Sequence, residues 1–215
     1  MTPPGDPLPF TVIADRLEVI GRYLAGRSVL DLGCVDSRPA KEATAQRLAH
    51  KPNLLFKQIC QANPGTVGVD IDPEGVAALA EQGFRVLCQD VQTMDLGKTF
   101  QTIIAGEIIE HLENPGQFLR NMRRHLTDDG VLIVSTPNPF YSGQQWKIWT
   151  TSRPRVHEDH VNWQDPSTLC SLMRRTGLEP FEGYWIQPPR SLIKTWARLF
   201  RPYFSNNFML LARKA

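Results

Sequence analysis

The sequence predicts an α/β fold in which helices cover both faces of a parallel sheet. One observation is the apolar run 28–32, which ends in an acid followed by a glycine, as a buried parallel strand does. A second is that similar runs alternate with strong helix starts, in which proline follows a capping side chain: Asp72-Pro73, Asn114-Pro115 and Asp165-Pro166. Strands that alternate with helices indicate a doubly wound sheet.

The elements follow in chain order. Apolar residues at helical spacing predict an amphipathic helix from Val12 to Leu24. Seven strands are predicted at 28–32, 66–70, 85–88, 102–105, 131–135, 184–186 and 207–212. The helices between them are predicted at 41–63 with a break at Pro52, and at 73–82, 114–129 and 165–177. We therefore expect a helical extension over 1–27 and one domain over 28–215, with a substrate lid around 140–165.

Composition limits the function. The chain has 215 residues, 41% of them hydrophobic, which is enough for one core. Its net charge of +2 gives no reason to expect an extended phosphate-binding surface, so a nucleic-acid partner is not expected. The four cysteines form no C-x-x-C pair, and the proline-rich start lacks the features of a signal peptide. With no apolar run of membrane-spanning length, these features predict a cytoplasmic protein.

Acidic residues lie at or just past the carboxyl ends of four predicted strands. They are Asp31, Asp70, Asp90 and Glu107. Any one of them, taken alone, is compatible with a helix cap or a solvated loop. Because carboxyl ends of parallel strands share one edge of a sheet, the four together predict a site for a ligand with a ribose, an amine and a positive centre.

The turn after the first predicted core strand decides between nucleotide cofactors. It reads Gly33-Cys34-Val35-Asp36-Ser37-Arg38 and lacks the G-x-G-x-x-G pattern. Without those glycines a pyrophosphate has no close approach to the backbone, which argues against NAD or FAD.

These motifs resemble the class I S-adenosylmethionine-dependent methyltransferases, and within them the branch of the ubiquinone-biosynthesis O-methyltransferases. The resemblance rests on Val29–Cys34, Val67–Asp72, Gln89–Val91, Glu107–Leu112 and Leu132–Asn138. It implies a Rossmann-like, doubly wound, seven-stranded and mostly parallel sheet in a single domain. It departs from the family at Asp36, Ser37 and Arg38, where further glycines are usual.

The resemblance also implies a cofactor site. Asp31 and Gly33 would flank the methionine part of S-adenosylmethionine, Asp70 would bind its ribose, and Asp90 with Val91 would hold its adenine. The neighbouring Cys34, Ile71 and Glu107 complete the expected cofactor-binding set.

Methylation of a hydroxyl needs a base or a metal to take the acceptor's proton. His160 is the preferred base and His111 the second candidate, because histidine accepts a proton near neutral pH. Helix entry is the structural alternative for His111, and packing in the lid is the alternative for His160. With Glu107 and Glu110, the two histidines also resemble the magnesium site of small-RNA 2′-O-methyltransferases, so Mg²⁺ or Mn²⁺ is a possible cofactor.

We interpret the sequence as a methyltransferase acting on a hydroxyl of a small molecule or glycan. The alternatives are an RNA 2′-O-methyltransferase and a non-catalytic cofactor-binding relative. The sequence leaves the function of two aromatic segments open. Residues 140–154 either line an acceptor pocket or pack a long connection, and the basic and aromatic segment 190–204 either meets a lipid or polyanion or forms an ordinary amphipathic helix.

Overall fold

The computed structural model describes residues 8–35, 48, 53–187 and 205–215. The strands are β1 Phe10–Ile13, β2 Val29–Leu32, β3 Val67–Asp70, β4 Arg85–Cys88, β5 Phe100–Gly106, β6 Leu126–Pro137, β7 Leu178–Ile186 and β8 Asn207–Lys214. The helices are α1 Leu17–Ile20, α2 Leu55–Ala62, α3 Pro73–Glu81, α4 Pro115–His125, α5 Ser142–Thr151 and α6 Pro166–Arg175. The segments 36–38, most of 41–52 and 190–204, on which predictions were made, lie outside the described residues.

One sheet contains all the described strands, in the order β1-β7-β8-β6-β5-β2-β3-β4. Strand β8 runs antiparallel to both β6 and β7, and the other pairs are parallel. The prediction of a doubly wound, mostly parallel sheet is therefore confirmed. The carboxyl ends of β2, β3, β5 and β6 meet at one edge, which positions the candidate site.

The sheet has eight strands rather than seven because the start of the chain was predicted wrongly. Residues 10–13 form edge strand β1, which pairs with Gly183–Ile186 of β7, and helix α1 covers only Leu17–Ile20. A 3-10 turn at Gly21–Tyr23 follows it. Phe10 packs on Trp185 with ring centroids 4.8 Å apart, so tertiary packing outweighed the helical spacing of the apolar residues. The boundary between an extension and a domain at residue 28 stays a prediction.

Helix caps agree with the sequence. The side chains of Asp72, Asn114 and Asp165 each accept hydrogen bonds from backbone N–H groups in the first turn of their helices. Helix α4 ends at His125, four residues before its predicted end, because Leu126 is already extended and pairs with Phe100 of β5. Among the described residues, no helix has the length and apolar character needed to span a bilayer.

Candidate functional site

One side of the candidate site is formed by the turn directly after β2, which contains Gly33 and Cys34. Gly33 has φ +74°, a conformation that favours glycine, and its N–H donates to the Val69 carbonyl at 2.9 Å. The adjoining Cys34 is buried, and its N–H donates to the same carbonyl at 3.4 Å. Hydrogen bonds to Val69 of β3 therefore hold the turn that follows β2 at the edge of the sheet.

Asp31 is buried at the end of β2, and its Oδ1 has no hydrogen-bond partner among the described residues. Burial raises the pKa of this carboxyl to about 8, Arg16 opposes the rise, and Asp70 adds to it. An unpartnered buried carboxylate is costly, and a bound cation or amine would relieve that cost. Asp31 therefore fits a positively charged ligand group.

Asp70 ends β3 and braces the site. Its Oδ2 accepts from Val35 N–H at 2.8 Å and its Oδ1 from Asp72 N–H at 3.0 Å. Burial raises its pKa, while those backbone hydrogen bonds oppose the rise. Each carboxylate oxygen carries two lone pairs, so the remaining ones fit the hydroxyl groups of a ribose.

The adjoining Ile71 is 71% exposed, although it is a large apolar residue. Past β4, Asp90 caps a turn by accepting from Gln92 N–H at 2.9 Å, and Val91 beside it is buried in the core. An exposed isoleucine next to a polar turn fits a planar, partly polar group such as a nucleobase.

Glu107 lies apart from the histidines with which the resemblance to a magnesium site grouped it, and its predicted role in cofactor binding stays a prediction. It follows β5 with φ +55°, an uncommon conformation for a side chain other than glycine. Its Oε2 accepts from Asn207 Nδ2 at 2.7 Å, and its Oε1 lies 3.7 Å from Arg16 Nη1. Glu107 thus pairs with residues from both ends of the chain, and it does not join the cluster of Glu110 and the histidines described next.

Sequence reasoning missed Arg16. Its Nη1 also donates to Ser135 Oγ at 3.5 Å, and its charge acts on the pKa values of Asp31 and Glu110. An arginine on the polar face of a predicted amphipathic helix is expected to lie in solvent. In the structure, the turn from β1 into α1 brings Arg16 to the edge of the sheet instead.

Glu110, His111 and His160 lie together at the other side of the site. One ligand atom from each lies within 4.8 Å of the others. The Glu110 carboxylate is buried and accepts from Thr136 Oγ1 at 2.9 Å. Burial, followed by the charge of Glu107, raises its pKa to about 8.

The loop that carries His160 is fixed to the chain after β5 by hydrogen bonds to backbone carbonyls of that chain segment. Asn162 Nδ2 donates to the carbonyls of Ile109 and Leu112 at 3.0 and 2.8 Å, and Val161 N–H donates to the Glu110 carbonyl at 3.0 Å. These contacts place the imidazole of His160 against that of His111, with ring centroids 4.7 Å apart. Two motifs far apart in sequence therefore meet.

The surroundings of the two imidazoles differ. His111 Nδ1 lies 3.0 Å from the Asp159 carbonyl, which only accepts, so Nδ1 donates to it. Burial, followed by His111 and His157, lowers the pKa of His160. The neutral form of His160 therefore dominates at pH 7, and it accepts a proton.

A cavity of about 620 Å³ opens beside this cluster. Its wall includes residues from the end of β6, from α5 and from the loop after α5. It is large enough for an organic acceptor of moderate size. Tyr141 and Trp163 line it, whereas Trp146 and Trp149 are 71% and 83% exposed and lie outside the lining. The aromatic segment 140–154 is therefore only partly pocket wall.

Comparisons with known proteins agree on one family. The sequence profile of a family described as "Methyltransferase domain" matches residues 10–182. A ubiquinone biosynthesis O-methyltransferase of Rickettsia conorii is 30% identical over 209 residues, covering 93% of this chain and 67% of the relative. The ubiquinone biosynthesis O-methyltransferase of Rickettsia felis is 23% identical over 216 residues, covering 97% of this chain and 83% of the relative.

Solved structures share the fold. The CcbJ methyltransferase of Streptomyces caelestis superposes with a TM-score of 0.63 at 14% identity, covering 91% of this chain and 86% of its own. Magnesium protoporphyrin IX methyltransferase of Synechocystis, solved with bound SAH, gives a TM-score of 0.60 at 16% identity, covering 93% and 78%.

Proposed function

The chain belongs to the methyltransferase-domain family and uses S-adenosylmethionine, and on that premise we propose that it methylates a hydroxyl of a small organic acceptor. The observation that carries the proposal is the position of the His160 imidazole, which lies in the wall of the pocket beside Glu110 and His111. A hydroxyl must lose its proton to become a good nucleophile, whereas the sulfonium of the cofactor is already an excellent leaving group. The relatives named for O-methylation support the same chemistry.

In this proposal the cofactor lies along the edge formed by β2, β3 and β5. Asp31 accepts from the amino group of the methionine part, and the turn at Gly33 and Cys34 lets it approach the backbone. Arg16, which already pairs with Glu107, binds the carboxylate of the same part.

The nucleoside part would bind farther along that edge. Asp70 accepts from the ribose hydroxyls, and Ile71 packs on the adenine, which also contacts Asp90 and Val91. Asp70 and Asp90 already brace turns through backbone hydrogen bonds, so their carboxylates are fixed before the cofactor arrives.

His160 is the proposed general base. Its lowered pKa leaves the ring neutral at pH 7, and the loop contacts of Asn162 fix its position. His111 is the second candidate, because its ring lies against that of His160 and its orientation is fixed by the contact of Nδ1 with the Asp159 carbonyl.

A divalent cation is a second proposal for the same cluster. Glu110, His111 and His160 offer one carboxylate and two imidazoles within ligand distance of one another, and the backbone carbonyl on His111 Nδ1 is the type of contact that orients metal-bound histidines. The predicted fourth ligand, Glu107, is not part of this set. Such an ion would lower the pKa of the acceptor hydroxyl, and the donor set suits Mn²⁺ at least as well as Mg²⁺.

The experiment is a methyl-transfer assay with labelled cofactor over catechols, sugars, lipids and RNA, run with chelator and then with added Mg²⁺ or Mn²⁺. If His160 is a base, His160→Ala lowers turnover by roughly 10²–10⁴-fold with unchanged cofactor affinity, and chelator has no effect. If His160 is a metal ligand, chelator abolishes wild-type activity and added metal restores it. Full activity of His160→Ala contradicts both roles.

The acceptor that is methylated also distinguishes between the alternative functions. Transfer to sugars would identify a glycan hydroxyl, and transfer to RNA with strong salt dependence would identify the nucleic-acid alternative, which the net charge of +2 does not favour. Cofactor binding without any turnover would identify a non-catalytic relative. A cytoplasmic location belongs to the same proposal and is supported by four cysteines that are all free.

A further inference from the structure

Arg155 is a cation in the wall of the acceptor pocket that the proposed chemistry does not use. It lies on the loop between α5 and His160. The other ionisable groups lining the pocket are Glu110, Tyr141, His157, Glu158 and His160. Of these groups only Arg155 carries a positive charge at every pH at which proteins work.

The backbone of Arg155 is fixed by a buried side chain on α5. Gln144, only 2% exposed, donates from Nε2 to the Arg155 carbonyl at 3.1 Å and accepts the Arg155 N–H on Oε1 at 3.0 Å. The Gln144 side-chain amide therefore bonds both the N–H and the carbonyl of Arg155, as a neighbouring strand would. The arginine side chain consequently starts from a defined point of the pocket wall, although Arg155 and the loop around it are exposed.

The guanidinium itself is unpaired within the part of the chain that the structure describes. Ion pairs there join Arg16 to Glu107, His157 to Asp159, Arg174 to Glu179 and Lys214 to Asp128. Glu110 is hydrogen-bonded to Thr136 instead. Glu158 also lines the pocket, but it forms no ion pair with Arg155. The guanidinium of Arg155 is planar, its backbone is fixed and it has no partner among the described residues. Such a group is suited to bind an external carboxylate or phosphate.

We propose that Arg155 makes the acceptor site selective for hydroxyl compounds that carry a carboxylate or phosphate group. The anionic group pairs with Arg155, Tyr141 and Trp163 supply aromatic wall for the acceptor's planar part, and the hydroxyl faces His160. This inference rests on the proposed function, because it names the class of acceptor for the same pocket. Gln144 is a positioning residue in it, since it acts through Arg155.

The test is a comparison of two acceptors that differ only in charge. Protocatechuate, a catechol with a carboxylate, and its methyl ester are titrated into the protein saturated with S-adenosylhomocysteine, and affinity is measured by calorimetry. Because Arg155 is exposed and water screens its charge, we expect the wild type to bind the acid about twofold to fivefold more tightly than the ester. Arg155→Gln removes this preference, and Arg155→Lys keeps part of it, because lysine retains the charge without the fork.

The control is Arg153→Gln, two residues earlier on the same exposed loop but outside the pocket lining. It should leave the acid-to-ester preference unchanged. Gln144→Met, which removes both contacts with the Arg155 backbone while leaving the guanidinium in place, should weaken the preference without abolishing it. A phenolic phosphate and its neutral counterpart then show whether the site prefers a phosphate to a carboxylate.

The outcomes separate this inference from the proposed function. Equal affinity for acid and ester, or a preference that survives Arg155→Gln, overturns the role of Arg155 even if both compounds are methylated. A preference that depends on Arg155, without methyl transfer to either compound, supports the anion site and contradicts hydroxyl methylation of catechols.

Discussion

Cofactor affinity should depend steeply on pH through Asp31. Burial raises the pKa of its carboxyl to about 8, so the acid is mostly neutral at pH 6. If only the ionised form accepts from the ammonium of the cofactor, the competent fraction rises from about 1% at pH 6 to about half at pH 8. Affinity for S-adenosylhomocysteine should therefore rise roughly fiftyfold over that interval.

The variant Asp31→Asn isolates this effect, since asparagine has the same shape and no titration. It should bind the product more weakly than the wild type at pH 8 and show no rise between pH 6 and 8. Asp128→Asn, a fully exposed acid that pairs with Lys214 near the opposite end of β6, is the control and should retain the wild-type slope. Calorimetry at several pH values measures both slopes. A flat wild-type profile, or affinity that falls as pH rises, would refute the reasoning.

The same carboxyl links stability to pH. Its pKa in the folded protein is raised above the ordinary value of 3.8, so the folded state holds a proton that the unfolded state releases between about pH 4 and pH 8. The contribution of Asp31 to stability is thus retained below pH 4 and lost as pH rises through that window. Denaturant unfolding of Asp31→Asn should lack this part of the pH dependence.

Three further predictions concern two residues of the site and one glycine of helix α3. Arg16→Gln should weaken S-adenosylhomocysteine binding by about tenfold in calorimetry, because it removes a charge-assisted contact with the carboxylate; unchanged affinity would remove Arg16 from the cofactor site. Asp70→Ala should weaken the same affinity by about 1–3 kcal/mol through lost ribose contacts, and equal binding would contradict its role. Gly75→Ala should lower unfolding free energy by about 1–3 kcal/mol, since its Cβ would meet Val35 Cγ1 at 2.1 Å, whereas Gly21→Ala, with open space around it, should not.

Local chemistry explains which parts of the fold were predictable. Asp72 and Asp165 are followed by proline and begin helices, because a capping side chain and a proline act within one turn of the backbone. A helix was predicted where edge strand β1 lies, because the pairing of β1 with β7 depends on residues more than 170 positions away. Spacing alone favoured a helix there.

The candidate site was predictable to a similar extent. The topology places the acids at strand ends at one edge of the sheet. The two histidine motifs lie side by side in the structure, although their positions in the sequence do not determine where the loop of His160 lies. Glu107 was expected in the histidine cluster, but its positive φ and its contacts with Arg16 and Asn207 direct it elsewhere. Such a turn depends on tertiary partners, and no short sequence pattern predicts it. Arg16 and the Gln144 contact with Arg155 were missed for the same reason.

The identity of the methylated atom tests the central claim most directly. The protein is incubated with methyl-labelled S-adenosylmethionine and protocatechuate, and the product is examined by NMR for the atom that carries the label. We predict a methyl ether on a ring hydroxyl, formed by the wild type and reduced in His160→Ala. Label on a carboxylate, on nitrogen or on carbon, or no transfer to any hydroxyl acceptor, would contradict it.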